Sequence, residues 1–399
     1  MPKSCLSLAL ALSIVWGAAD KSWYYATETG FTIRTADELA GLAELVNDAT
    51  ESFAGKTITL AANIDLSNYG VDFNEGKGWI PIGRVAPSEG STTIESFDPY
   101  SFKGTFDGNF HKITGLYIND GNRIGSGLFG TLKDGVIKNT TIEKASITAN
   151  ISAGGIVGGN IMGTVLNCSF SGEIIILQFN GGGIVGYNFG TIANSYSIAT
   201  MGGDAVGGLV GTNDGSVINS YSNSVANVEQ PPSAKIGSLA GYNQNSIINS
   251  YWNTEGYSAG VGYAAFALEE IITGMSAEEM QNASFIDILN SSLGEQYATW
   301  LPDTENINQG FPVFEWKKDD EPNEDDKPGD DITAIPLTYS MESLQIQGLA
   351  KAQKLRLFNL KGQTLMERTV LPSEKISIAH LPHGVYLANI SGKTLRIVK

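Results

Sequence analysis

Cysteine is nearly absent from this chain, with Cys5 and Cys168 as its two instances. Cys5 lies in an N-terminal stretch that reads as a removable leader, which leaves Cys168 alone and excludes an intrachain disulfide. Cys168 sits among small side chains and reads as a buried, inert thiol. Histidine is scarce too: His111, His380 and His383 show no metal-ligand spacing. Basic residues number 25 against 42 acids, a formal net charge of -17. That balance excludes the basic surface that nucleic acid requires and describes a solvated acidic one. Thirteen prolines against 47 glycines point to frequent tight turns and not to collagen or a disordered tract. Beyond the leader, no apolar run reaches the length of a membrane-spanning helix.

The leader is residues 1–19: Lys3, an apolar run over 6–16, then Gly17-Ala18-Ala19 as a small-residue cleavage site. Cys5 precedes the apolar run, so a lipid-modified cysteine is not indicated. The expectation is an exported mature chain, held at a surface, if at all, by something other than a helix.

What is present in abundance is one repeated phrase. Gly127-Leu128-Phe129-Gly130 returns as Gly155-Ile156-Val157-Gly158, Gly183-Ile184-Val185-Gly186, Gly208-Leu209-Val210-Gly211 and Ser238-Leu239-Ala240-Gly241. Asparagines follow at a nearly fixed offset, Asn139, Asn167, Asn194, Asn219 and Asn249, in steps of 28, 27, 25 and 30 residues. Such a period means stacked supersecondary units. The reading is all-β, a right-handed parallel β-helix over 56–260. Coils stack about 4.8 Å apart, so residues in one register form ladders. Asn160, Asn188, Asn213 and Asn243 make one ladder, and the five asparagines above make another. Gly163, Gly190 and Gly215 share a register with Asn245, an exchange that predicts a positive φ there. Phe170, Tyr196, Tyr221 and Tyr251 make an aromatic stack. Its bland role is to hold the coils together; its functional one is a sugar-binding platform at Tyr196, Tyr221 and Tyr251.

Flanking segments close the repeat. Thr35-Ala36-Asp37-Glu38 is a capping box that opens an amphipathic helix to about Asn47, the N-terminal cap within 20–55. Ser276-Ala277-Glu278-Glu279 opens a second helical stretch within 261–318, the C-terminal cap, whose stretch from Asn308 to Trp316 is expected as a strand on the last coil. Residues 319–331 hold eight acids and one lysine and read as a linker. Residues 332–399 carry nine Lys/Arg against three Asp/Glu, a net of +6, and alternate as a small antiparallel β-sandwich.

The repeats resemble the GLUG motif of bacterial surface proteins, and the likeness reaches outward to Asp65, the Trp79 to Gly83 stretch and Phe106-Asp107-Gly108-Asn109. The segment with Phe358-Asn359-Leu360-Lys361-Gly362 and Leu381-Pro382-His383-Gly384-Val385-Tyr386 resembles the type IX secretion sorting domain of Bacteroidota. Together these resemblances imply an adhesin-like protein exported across the outer membrane, with the secretion machinery as one partner and a glycan or host or matrix surface as the other.

Enzymatic chemistry on such a coil would call for suitably placed acids. Glycoside hydrolysis needs two carboxyl groups roughly 5–9.5 Å apart. Asp134 and Asp214 lie three coils apart, about 14 Å at that spacing. Asp65, Asp72 and Asp107 can approach one another, yet each suits a turn or cap. No nucleophile-and-base set, metal site, cofactor site or phosphate loop stands out. The expectation is a non-enzymatic binding protein, with a carbohydrate-active β-helix and a purely structural surface component as alternatives.

Overall fold

The computed structural model describes residues 18–85, 100–226, 234–257, 259–265, 271–291 and 296–316, and in the C-terminal segment the strands between 337 and 398. Residues 1–17 of the expected leader, the whole expected linker 319–331, and Leu360-Lys361-Gly362 and Pro382-His383-Gly384 of the segment that resembles a sorting domain lie outside the described residues. Two compact units divide the chain, Met1–Asp319 and Asp320–Lys399.

The first unit is a parallel β-solenoid of about 7 turns. Its strands stack in three rows. One row starts at Gly30–Ile33 and passes through Thr57–Leu60, Thr105–Asp107 and Val136–Lys138. It continues along the later halves of Val157–Leu166 and Val185–Ala193 to Ser216–Ile218 and Ser246–Asn253. A second row holds Lys112–Thr114, Thr141–Gly154, Ser169–Gly182, Tyr196–Gly202 and Tyr221–Ser222. The third carries the repeated phrase: Phe129–Lys133, then Val157, Val185 and Val210 in register, then Ala240–Asn243 and Val261–Ala264. That last strand is a sixth rung whose glycine phrase has decayed. Gly30–Ile33 also falls before the region where the sequence first shows strands, because four residues alternate too briefly to be told from a loop.

Burial explains the phrase. Ile156, Val157, Ile184, Val185, Leu209, Val210, Leu239 and Ala240 are all fully buried in one continuous core. Each residue adds apolar area at about 25 cal/mol per Å² removed from water, and none could do so on a single coil. The ladder from Asn160 forms as expected, and the other links four of its five asparagines: Asn167 Nδ2 donates to Asn139 Oδ1, Asn194 to Asn167 and Asn219 to Asn194, each at 2.8 Å. Asn160 Nδ2 donates to Asn188 Oδ1 at 2.8 Å, Asn188 to Asn213 at 2.8 Å and Asn213 to Asn243 at 2.9 Å.

The positive φ lies elsewhere than expected. Gly163, Gly190 and Gly215 have no left-handed backbone; Asn139, Asn167, Asn194, Asn219 and Asn249 do, with φ of 52, 52, 48, 48 and 49°. Asparagine serves there because it tolerates this conformation and its amide bridges rungs. At Gly190 the requirement is room: a Cβ would stand 2.2 Å from the Gly163 carbonyl oxygen of the rung below. Gly190→Ala is therefore expected to cost about 1–3 kcal/mol as the rungs separate, read by urea unfolding. An unchanged midpoint would refute the close-packing argument.

Helix α1, Ala36–Asn47, has its capping box: Glu38 N donates to Thr35 Oγ1 at 3.1 Å and Thr35 N to Glu38 Oε2 at 3.1 Å. Its face of Leu39, Leu42 and Val46 is buried in the same core as the first rungs. Asn47 Nδ2 reaches Pro81 O at 2.9 Å, and the Tyr69 hydroxyl reaches Asp37 at 2.7 Å.

After the strand Ile271–Met275, the chain forms α2, Ala277–Met280, with its own capping box, and α3, Ala283–Ser291. It then turns back along the flank of the solenoid. Phe285 packs on Tyr251, Trp300 on Tyr221 and Tyr196, Phe314 on Tyr196, and Trp316 on Phe110. The stretch from Asn308 to Trp316 thus lies on early and middle coils and not on the last one. Residues 277–291 and 296–316 form a lateral strap, because the outward tyrosines along the flank are the apolar surface that needs cover.

In the second unit, Leu337–Tyr339, Ser343–Ile346 and Lys375–Ser377 form one antiparallel sheet. Gln353–Asn359, Thr364–Val370, Val385–Ile390 and Lys393–Val398 form another. Leu355, Leu357, Val370, Ile376 and Ile378 are buried.

Candidate ligand-binding face

The aromatic row singled out in the sequence is in register at Tyr196, Tyr221 and Tyr251, but Phe170 does not belong to it. Ser169 pairs with Tyr196, and Phe170 pairs with Ser197 and points into the solenoid core. A slip of one residue moves a side chain to the other face of the strand. Nor is the row an open platform. Tyr196 and Tyr221 are buried under the strap, and Tyr251 is half-buried against Phe285. The Tyr221 hydroxyl donates to Pro312 O and accepts from Asn308 Nδ2 at 2.8 Å. A sugar ring cannot stack where Trp300 and Phe314 already do.

The asparagine ladder beside this row holds the strap by its backbone. Asn167 Nδ2 donates to Gln296 O at 3.2 Å, Asn194 Nδ2 to Ala298 O at 3.0 Å and Asn219 Nδ2 to Leu289 O at 3.1 Å. Burial pushes the Tyr196 phenol up to about 12 and the Tyr221 phenol well above its ordinary value. Phenols raised on folding lend stability that is whole below their unfolded value near 10 and lost as pH climbs through the folded value. The strap is expected to release between about pH 10 and 12, seen as tyrosinate absorbance rising together with protease cleavage in 277–316. A strap that stays uncut above about pH 12 would contradict this.

The remaining candidates have local duties. Asp65 Oδ1 accepts from Ser67 N at 2.9 Å. Asp107 accepts from Asn109 N at 2.8 Å and Asn139 Nδ2 at 2.9 Å, and pairs with Lys138 at 3.1 Å. Asp72 is exposed. The His111 ring lies 3.3 Å from Asn63 Oδ1. Cys168 is buried, and its thiol is pushed up to about 12 by that burial, as an inert thiol requires. Among the described residues no three His, Cys, Asp or Glu side chains gather to hold a metal. No described helix is long and apolar enough to cross a membrane.

A different face carries exposed aromatic and hydrogen-bonding groups. Asn188, Asn213 and Asn243 point inward, so strand alternation sends the residues on either side of each outward. On the near side these are Tyr187, Thr212, Tyr242 and Tyr263, in register on successive rungs. Tyr242 and Tyr263 stack with centroids 4.8 Å apart and planes 21° apart, and Tyr263 is 43% exposed. Lys235 Nζ lies 5.7 Å from the Tyr263 centroid. On the far side stand Phe189, 40% exposed, and then Asp214 and Gln244. Asp214 binds the two sides together: its Oδ2 accepts from the Tyr187 hydroxyl at 2.6 Å and its Oδ1 from Gln244 Nε2 at 2.7 Å. Burial, then the Asp214 hydrogen bond, holds the Tyr187 phenol well above its usual range. The sequence does carry the signal, Gly-Tyr-Asn at 186–188 and at 241–243, once the asparagine is known to face inward.

Comparison with known proteins adds a partial likeness. No family model and no solved structure matches the chain. Halomucin of Haloquadratum walsbyi is 35% identical over 156 residues, 38% of this chain and 2% of halomucin. A protein described as a Gly-rich membrane protein, from Evansella cellulosilytica, is 33% identical over 148 residues, 36% of this chain and 14% of its own length. The chain spans a small part of either relative.

Proposed function

We propose that the protein is a secreted or cell-surface, non-enzymatic adhesin-like protein whose solenoid displays a rigid surface to a glycan or a host or matrix ligand. The observation that carries this is the outward row of Tyr187, Tyr242 and Tyr263 beside Phe189, Asp214 and Gln244. Aromatic rings with polar neighbours, held on stacked strands, make a preorganised contact surface. Names of the relatives, a mucin of one organism and a membrane protein of another, support a surface location. In this reading the repeats are of the GLUG type and residues 1–19 are a signal peptide. The second unit is a β-sandwich that directs type IX export, in keeping with a Bacteroidota source. Helix α1 caps the first rungs of a right-handed coil, the hand that parallel crossovers take.

The test is a binding screen of the full chain against polysaccharides and matrix proteins, with sugar release assayed on every hit. Saturable capture without release supports the proposal. Release of oligosaccharides, lost in Asp65→Asn or Asp107→Asn, would replace it with a carbohydrate-active β-helix. No capture at all would leave a structural surface component.

A further inference from the structure

We infer that the face at Tyr187, Phe189, Asp214, Tyr242, Gln244 and Tyr263 takes an uncharged, linear glycan laid along the solenoid axis. This deepens the proposal above and rests on its being a binding protein.

Three observations lead to that ligand. The contact groups recur on successive rungs, from Phe189 and Tyr187 through Asp214 to Tyr242, Gln244 and Tyr263. A row repeating at about 4.8 Å suits an extended ligand that is itself periodic. Next, the groups alternate in kind: rings offer apolar surface to the C–H face of a pyranose, and Asp214 and Gln244 offer acceptors and donors to its hydroxyls. The Asp214 carboxylate has about four lone-pair positions. Two are engaged by Tyr187 and Gln244, which fixes its orientation and leaves the others for hydroxyls. A protein partner would favour a larger continuous apolar centre than rings interleaved with polar groups.

Charge sets the class. Lys235 lies at the edge of the face, its Nζ 5.7 Å from the Tyr263 centroid, and Asp214 stands on the face itself, while Asp204 Oδ1 accepts from the Lys235 backbone N at 3.4 Å. The whole chain carries -17, and the portion ahead of residue 332 carries all of the negative excess. A polyanion approaching this unit meets repulsion, whereas a neutral polymer does not.

The experiment is capture of the full chain on cellulose, xylan, mannan and laminarin, on polygalacturonate and alginate, and on collagen and fibronectin. Each is run with wild type, Tyr263→Ala, Phe189→Ala and Leu177→Ala. Tyr263 and Phe189 are partly exposed, so their loss should leave the solenoid folded, which a melting curve checks. Leu177, 58% exposed in another row of strands, is the control. The expected result is capture by at least one neutral polymer, weakened about tenfold or more in Tyr263→Ala, unaffected in Leu177→Ala and little changed by added salt. Neutral-polymer capture that both ring variants retain would overturn this site while leaving the binding proposal intact. Capture by the anionic polymers alone, or by a matrix protein alone, would overturn the ligand class. Capture by nothing would remove the binding proposal itself.

Discussion

Trp300→Ala is expected to free the strap before the solenoid unfolds. Trp300 is 1% exposed, with its ring centroid 4.2 Å from Phe314, 5.4 Å from Tyr221 and 5.8 Å from Tyr196. Its Nε1 donates to Asn194 Oδ1 at 2.7 Å, and its backbone N donates to Asn290 Oδ1 at 2.9 Å. Truncating a buried tryptophan costs about 3–5 kcal/mol. Where that loss appears depends on how the cores are joined. Trp300 belongs to a cluster with Tyr196, Tyr221, Phe285 and Phe314, separate from the continuous core inside the coils. The cost should therefore fall on the strap as a local opening. In urea, intrinsic fluorescence should change well before far-UV circular dichroism, and protease should cut within 277–316 first. Trp300→Phe keeps ring contact and loses one hydrogen bond, about 1 kcal/mol, and should show a smaller gap between the two transitions. If the alanine variant melts in one coincident transition, strap and solenoid are a single cooperative unit and this account is wrong.

That division also explains what the sequence reveals and what it hides. The solenoid is legible because Gly-x-x-G and its asparagines recur, and recurrence in a chain becomes register in space. Both inter-rung amide ladders follow from spacing alone. The φ > 0 position does not: glycine can signal a left-handed backbone or a near neighbour. Only the structure separates the room needed at Gly190 from the φ of 48° at Asn194. Phe170 shows the limit of offset counting, since it stands three residues after Asn167 and Tyr196 two after Asn194. The strap is invisible for a different reason. Amphipathic helices with a capping box fit an end cap and a lateral cover equally well, and the choice lies with outward tyrosines far away in the chain. The face at Tyr187 and Tyr242 is legible in retrospect, because it needs only the alternation around an inward asparagine.

Asn194 should be the most sensitive polar position in the unit. It sits mid-ladder and carries four hydrogen bonds. Its Nδ2 serves Asn167 Oδ1 at 2.8 Å and Ala298 O at 3.0 Å; its Oδ1 accepts from Asn219 at 2.8 Å and Trp300 at 2.7 Å. Asn194→Ala strands donors and acceptors in a dry interior, at about 1–3 kcal/mol for each group left unpaired. It also leaves alanine at φ 48°, without the polar side chain that lets asparagine tolerate the left-handed region, adding about 1 kcal/mol. The combined loss is expected to exceed that of Trp300→Ala, and it should reach the solenoid as well as the strap, since Asn167 and Asn219 belong to the rungs on either side. Asn194→Gly separates the two costs. It loses the same hydrogen bonds but accepts the left-handed backbone, so it should be the more stable variant by about 1 kcal/mol. Ordinarily glycine destabilises a strand relative to alanine, which makes the inverted order diagnostic. Chemical denaturation of both variants beside wild type decides the matter. Alanine above glycine would show that the backbone relaxes out of the left-handed region when the amide is removed, and that the ladder, not the turn, imposes that conformation.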